Sequence, residues 1–236
     1  TRRVKLPQPS LSVRVHNGSP TDFLRTAGEL AKEGIGLPAF FNDDVIIPVR
    51  QGMGVPLTEA RNYAEVGCVE PQSSGRTNGF YTGGFLNLGK VLNLALNNGI
   101  DLISGETIGF SVDRFKKFTS EEDVLAAFRQ QVDYFVKLMV QGDNILDLIH
   151  GQLAPNPFVS LLVDDCITKG RSYEEGGAVY NYTSPNVVGI ANVADSLMAI
   201  RHAVFEKKLV DMDTLLDALT ADFDGQENLR KLLVNR

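Results

Sequence analysis

Apolar and polar residues alternate over Leu11-Ser12-Val13-Arg14-Val15, the period of a half-buried strand. Asn17-Gly18-Ser19-Pro20 then turns the chain, with Ser19 placed to cap a helix and Pro20 at its first position. That helix is expected to run to about residue 33 and stop at Gly34. Pro38-Ala39-Phe40-Phe41-Asn42 reads as a short buried strand, and Asp43-Asp44 opens a brief helix that Pro48 interrupts. Residues 58–63 give one or two helical turns. No helical period exists from Cys68 to Gly84, where Gly75, Gly79, Gly83 and Gly84 join Pro71, Ser73 and Ser74. That composition predicts a long ordered loop, and loops of this kind usually carry function.

Helical spacing returns at Phe85, Leu88, Leu92, Ala95 and Leu96, with Gly99 as the stop. Thr119-Ser120-Glu121-Glu122 signals the start of a long helix reaching about residue 150. A further helix is expected over 157–169, closed by Gly170, before Gly176-Gly177-Ala178-Val179-Tyr180-Asn181 turns into a strand. Residues 187–207 read as helix, followed by two short helices near 212–219 and 226–234. Short strands alternating with longer helices predict an α/β arrangement with parallel pairing. No repeat, low-complexity linker or domain boundary interrupts the pattern, so it describes one compact piece or a slice of something larger.

The 236 residues are 43% hydrophobic and 22% charged, which permits an ordinary globular core. A net charge of −6 with no basic block argues against a nucleic-acid partner. No apolar run reaches the roughly 18–20 residues a membrane span needs. The opening Thr-Arg-Arg-Val-Lys-Leu-Pro lacks the apolar core of a signal peptide. Two widely separated cysteines do not make a disulfide scaffold, so a cytoplasmic location is expected.

Cys68 stands in Gly67-Cys68-Val69-Glu70-Pro71, where an apolar segment meets the glycine-punctuated stretch. Most free cysteines are small buried hydrophobes; the loop context and Glu70 favour chemistry here. Extended backbone would turn Cys68 and Glu70 to one side, and Pro71 restricts Glu70 to that conformation. A nearby carboxylate disfavours thiolate, which speaks against an ionic nucleophile and suits a thiol that gives up a hydrogen atom. A Cys/His hydrolase would need His16, His150 or His202 beside the sulfur, and none lies in a catalytic motif. Zinc and nucleotide motifs are absent, so no metal is expected. Cys166 reads as helix core, and Asp43-Asp44 as helix capping.

Gly67-Cys68-Val69-Glu70-Pro71-Gln72 closely resembles the active-site cysteine loop of the glycyl radical enzymes, the relatives of pyruvate formate-lyase. Pro38-Ala39-Phe40-Phe41-Asn42-Asp43-Asp44, Phe85-Leu86-Asn87-Leu88 through Leu96-Asn97-Asn98-Gly99, and Gly176-Gly177-Ala178-Val179-Tyr180-Asn181 extend the likeness over nearly the whole chain. The resemblance implies part of a ten-stranded α/β barrel with the catalytic cysteine on an interior loop. Residues 1–236 would be its central portion, with an N-terminal helical part and a C-terminal glycyl radical domain outside them, and this portion alone would be inactive. It implies Cys68 as the thiyl site and Glu70 as general base in a lyase or dehydratase. Tyr81 and Thr82 are candidates for substrate contact, standing where glycerol-type dehydratases carry His-Asp.

The same resemblance implies a glycyl radical installed by a radical-SAM activating enzyme, a small-molecule substrate, a homodimer when complete, and an anaerobic cell. Pyruvate formate-lyase uses two adjacent cysteines; here Gly67 and Val69 flank Cys68, which weakens formate C-acetyltransferase as the alternative. A non-catalytic barrel remnant is the alternative outside enzymology.

Overall fold

The computed structural model describes residues 3, 10–67, 70–80, 83–111 and 117–234. The chain divides into two compact units, Thr1–Gly79 with Ile149–Tyr182 and Phe80–Leu148 with Thr183–Arg236. The hydrophobic pattern gives no sign of this division because the chain crosses it inside regular elements rather than through linkers.

In the first unit, β1 (Ser12–Val15) pairs in parallel with β2 (Ala39–Asn42), in the register Ser12↔Ala39 to Val15↔Asn42, with α1 (Thr21–Ala31) between them in sequence. Strand alternation buries Val13 and Phe41 and leaves Phe40 47% exposed, so β2 is half-buried rather than buried. Ser19 does not cap α1. Its hydroxyl accepts the His16 amide at 2.9 Å and tightens the turn, and Pro20 precedes the helix instead of beginning it.

α2 (Asp43–Gly52) begins directly on β2, where the Asn42 side chain accepts the Asp44 amide at 3.0 Å. It continues through Pro48 rather than breaking there. Pro48, mid-helix, forfeits one intrahelical bond, while the Asn42 cap and the acidic first turn support the N-terminus. α3 (Leu57–Arg61) follows.

The loop expected from Cys68 to Gly84 contains two short strands, and a third lies just before it. β3 (Ala64–Val66) and β4 (Glu70–Gln72) form an antiparallel hairpin, and β5 (Thr77–Phe80) lies beside β7 (Tyr180–Thr183). Pieces this short leave no legible period in the sequence. The helix expected over 157–169 is two helices, α6 (Pro157–Leu162) and α7 (Cys166–Lys169). Val163 is extended and Asp165 left-handed between them, and the Asp164 amide donates to the Gly75 carbonyl at 2.8 Å.

In the second unit, β6 (Phe85–Asn87) pairs in parallel with β8 (Asn186–Val188). β6 takes the first residues of an expected helix; Phe85 is 67% exposed, and Asn87 caps α4 (Leu88–Leu96) by accepting the Lys90 amide. α5 (Glu121–Leu153) belongs to this unit up to Leu148. Its start is a reciprocal cap: Ser120 Oγ accepts the Asp123 amide, and Asp123 accepts the amides of Thr119 and Ser120. The stretch expected as one helix from 187 is β8, α8 (Ile190–Ile200) and a π-helical turn, Arg201–Glu206. α9 (Met212–Thr220) and α10 (Glu227–Val234) follow as expected.

Leu92, Ala95 and Leu96 of α4 pack with Phe118, Val124 and Ala127 from around the start of α5, Val193 and Ile200 of α8, and Met212 and Leu215 of α9. Buried Gln131 is satisfied by the backbone of Phe110, whose amide it accepts at 2.9 Å and whose carbonyl it donates to. The parallel pairs in both units agree with the expected α/β class, while β3–β4 is antiparallel.

Two glycines define a stability test. A Cβ on Gly177 would lie 2.3 Å from the Arg171 carbonyl oxygen and 2.7 Å from that of Ser172, both fixed backbone, whereas Gly142 on α5 has open space around it. In the full-length protein, Gly177→Ala is expected to cost about 3 kcal/mol by overpacking. Gly142→Ala is expected to stabilise by about 0.5–1 kcal/mol. Denaturant unfolding followed by circular dichroism measures both.

Candidate active site

The register Ala64↔Gln72, Glu65↔Pro71 and Val66↔Glu70 pairs the strands on either side of residues 67–69 as the β3–β4 hairpin. Gly67 leaves β3 at φ +64, a left-handed backbone that suits glycine. The Glu70 carboxylate folds back over this turn: a Cβ on Gly67 would lie 2.9 Å from Glu70 Oε2. Glu70 therefore stands against the residue that immediately precedes Cys68. Cys68, Tyr81 and Thr82 lie outside the described residues; of the predicted site, the described structure contains Glu70.

Behind β4 stands Arg50, from the last turn of α2, only 5% exposed. Its Nη1 donates to the Pro71 carbonyl at 2.9 Å and its Nη2 to Ser73 Oγ at 2.6 Å. Pro71 has no N–H to give, so it suits a non-hydrogen-bonded pair opposite Glu65, where its carbonyl faces away from β3. That is the carbonyl Arg50 takes. Burial lowers the Arg50 pKa, opposed by the fields of Tyr182, Tyr180 and Glu59.

The other end of α2 is fixed by Asp43, which accepts from Arg14 through both oxygens, at 2.9 and 3.0 Å, and from the Tyr63 hydroxyl at 2.6 Å. The Arg14 guanidinium lies 4.0 Å from the centroid of the Tyr63 ring and also donates to the Arg61 carbonyl. Burial alone would raise the Asp43 pKa; the bonds from Arg14 and Tyr63 outweigh it and hold the carboxyl below its usual range. Asp43 is thus an ion-pair hub as well as the start of a helix. No group of His, Cys, Asp and Glu fit to hold a metal occurs among the described residues.

A second network ties the Tyr-Asn segment to the same unit. The Tyr180 hydroxyl donates to Glu59 at 3.0 Å, Arg76 bonds the other Glu59 oxygen, and the rings of Tyr180 and Tyr182 stack 6.2 Å apart. Burial and the Glu59 contact raise the Tyr180 pKa, keeping the phenol neutral. Cys166 is buried at the start of α7, and burial raises its thiol pKa, in line with a core role. Sequence reasoning missed Arg50, Glu59 and Arg76. Their partners lie many residues away, and neither spacing nor residue type marks them.

The chain belongs to the pyruvate formate lyase-like family, whose sequence model matches residues 1–236. It is 39% identical over 233 residues to trans-4-hydroxy-L-proline dehydratase of Clostridioides difficile, covering 99% of this chain and 29% of that protein. Among solved structures it is similar to the glycerol-bound B12-independent glycerol dehydratase of Clostridium butyricum, at 44% identity and a TM-score of 0.83, covering 98% of this chain and 29% of the other. A glycyl radical enzyme from Archaeoglobus fulgidus matches at 38% identity and a TM-score of 0.79, covering 99% and 30%. The chain thus spans less than a third of the length of these relatives. No helix among the described residues is long and apolar enough to cross a membrane.

The Asp43 hub makes a pH-dependent contribution. Because its folded-state pKa is depressed, its stabilisation is complete above the unfolded Asp pKa and is lost as pH falls through the folded value. In the full-length protein, Asp43→Asn is expected to cost about 1–2 kcal/mol at neutral pH. Denaturant unfolding against pH should find the gap between variant and parent closing toward acid.

Proposed function

We propose that this chain is the cysteine-bearing central part of a glycyl radical dehydratase or lyase, within a ten-stranded α/β barrel whose remaining parts lie outside these residues. The observation that carries the reading is the Glu70 carboxylate packed against Gly67, beside Cys68 in sequence, in a chain similar to dehydratases over 99% of its length. A carboxylate at this turn disfavours thiolate at Cys68 and suits a thiol that yields a hydrogen atom. The radical, on a glycine outside this chain and installed by a radical-SAM activating enzyme, would take the hydrogen atom of the Cys68 thiol, closing a C–H bond on the glycine and leaving Cys68 as a thiyl.

Cys68 then removes a hydrogen atom from a substrate carbon bearing a hydroxyl, and Glu70 takes the hydroxyl proton. The leaving group on the neighbouring carbon departs with its bonding electrons; for a hydroxyl, the proton held by Glu70 completes water. The product radical recovers a hydrogen atom from the Cys68 thiol. Atoms and electrons balance without an external oxidant. A small polyol or hydroxylated acid is the substrate class, with Tyr81 and Thr82 as contact residues, in a cytoplasmic homodimer.

In the full-length protein, activated anaerobically, Cys68→Ala is expected to abolish turnover while the glycyl radical signal in electron paramagnetic resonance persists. Loss of the signal itself would contradict this division of labour. Glu70→Gln is expected to lower kcat about 100-fold or more with substrate still bound. Formate release from pyruvate and coenzyme A would instead establish acyl transfer.

A further inference from the structure

A two-stranded hairpin is marginal on its own, and β3 and β4 have three residues each. Among the described residues the two strands pair only with each other. Something outside the hairpin must fix its height and tilt. On the β4 side that contact is Arg50, bonded to Pro71 and Ser73, the residues just after Glu70. Ser73 is itself buried, and its amide donates to Thr77 Oγ1 at 3.2 Å, joining the clamp to β5.

Arg50 is a costly choice for a purely structural prop. The residue is 5% exposed, its hydrogen-bond acceptors are a carbonyl and a hydroxyl rather than a carboxylate, and its Nε is buried without an acceptor among the described residues. Buried arginine is ordinarily paired, and apolar replacements of buried charge are often neutral or stabilising. What the guanidinium provides that an apolar side chain cannot is a planar fork with two donors at fixed separation. Here the fork spans Pro71 in β4 and Ser73 just past its end, and so fixes the rotation of this segment as well as its distance.

We propose that Arg50 is a positioning residue, setting the placement of Glu70 through the Pro71 carbonyl and the Ser73 hydroxyl. The inference rests on the proposed roles of Cys68 and Glu70. Displacement of a reacting group by about 1 Å costs on the order of 100-fold in rate, so a loosened β4 acts on the chemical step more than on substrate affinity.

The test uses the full-length protein with Arg50→Met, Arg50→Lys and Ser73→Ala. Arg50→Met, close in length but without donors, is expected to retain cooperative unfolding, radical content and KM while kcat falls about 100-fold. Ser73→Ala, which removes one of the two acceptors, is expected to lower kcat about tenfold, and Arg50→Lys to recover part of the loss of Arg50→Met. A second readout needs no radical. In unactivated protein, alkylation of Cys68 by iodoacetamide should be faster in Arg50→Met than in the parent, with buried Cys166 as the internal control.

Unchanged kcat and unchanged alkylation in Ser73→Ala and Arg50→Lys would overturn the proposal, even if Arg50→Met fails to fold. So would a parallel fall of kcat, radical content and unfolding midpoint in all three variants. Cys68→Ala, assayed alongside, separates the two readings. If it retains turnover, the assignment of Cys68 has failed; if it is inactive while the Arg50 and Ser73 variants match the parent, only the positioning role has failed.

Discussion

The buried guanidinium of Arg50 joins a helix to a hairpin that cannot stand alone, and much of the first unit is organised to make that junction rigid. Its Nη1 is committed to Pro71 of β4 and its Nη2 to Ser73 just beyond it, which joins α2 to the strand that carries Glu70. α2 is held at its start by the Asn42 cap and by Asp43, which binds Arg14 of β1 and Tyr63 just before β3. The parallel pairing of β1 with β2 fixes where α2 begins. Strand pairing, cap, ion pair and fork form a single chain of constraints from the first strand to the hairpin.

Much of the secondary structure could be read from the sequence, and the misreadings share one cause. β1, α1, α4, α5, α9 and α10 announce themselves through alternation, helical spacing or a cap such as Ser120 with Asp123. The segments misread as loop or helix, β4 to β6 and β8, hold strands of three or four residues without the clear apolar–polar alternation that marks β1. In these segments pairing partners decide the conformation, and a partner such as Asn186 for Phe85 lies far along the chain. The break between α6 and α7 has the same origin, since the Asp164 amide turns aside to meet the Gly75 carbonyl.

The candidate site divides along similar lines. Cys68 and Glu70 stand out because a thiol and a carboxylate lie two residues apart, ahead of a proline that restricts the second to extended backbone, an arrangement visible in a few consecutive residues. Arg50 and the Glu59–Arg76–Tyr180 network do not stand out. An arginine near a helix C-terminus is what the helix dipole favours on any surface helix, and only burial distinguishes this one. Family membership and the similarity to dehydratases give the hairpin its chemical context, while the side-chain geometry supplies what a shared motif cannot: which groups hold the motif in place.

The turn at Gly67 also bears on how this scaffold could change its reaction. Acyl transfer of the formate-lyase kind needs a second sulfur next to the first, and position 67 is where one neighbour of Cys68 would be introduced. A side chain there must accept φ +64, and its Cβ would meet the Glu70 carboxylate at 2.9 Å. The carboxylate, at the tip of a flexible side chain, would have to swing aside. Under the reading advanced above, the base for elimination and the second thiol for acyl transfer compete for one small volume. Moving between the two chemistries would then take coordinated replacement at both ends of the turn, with neither single substitution giving a working intermediate.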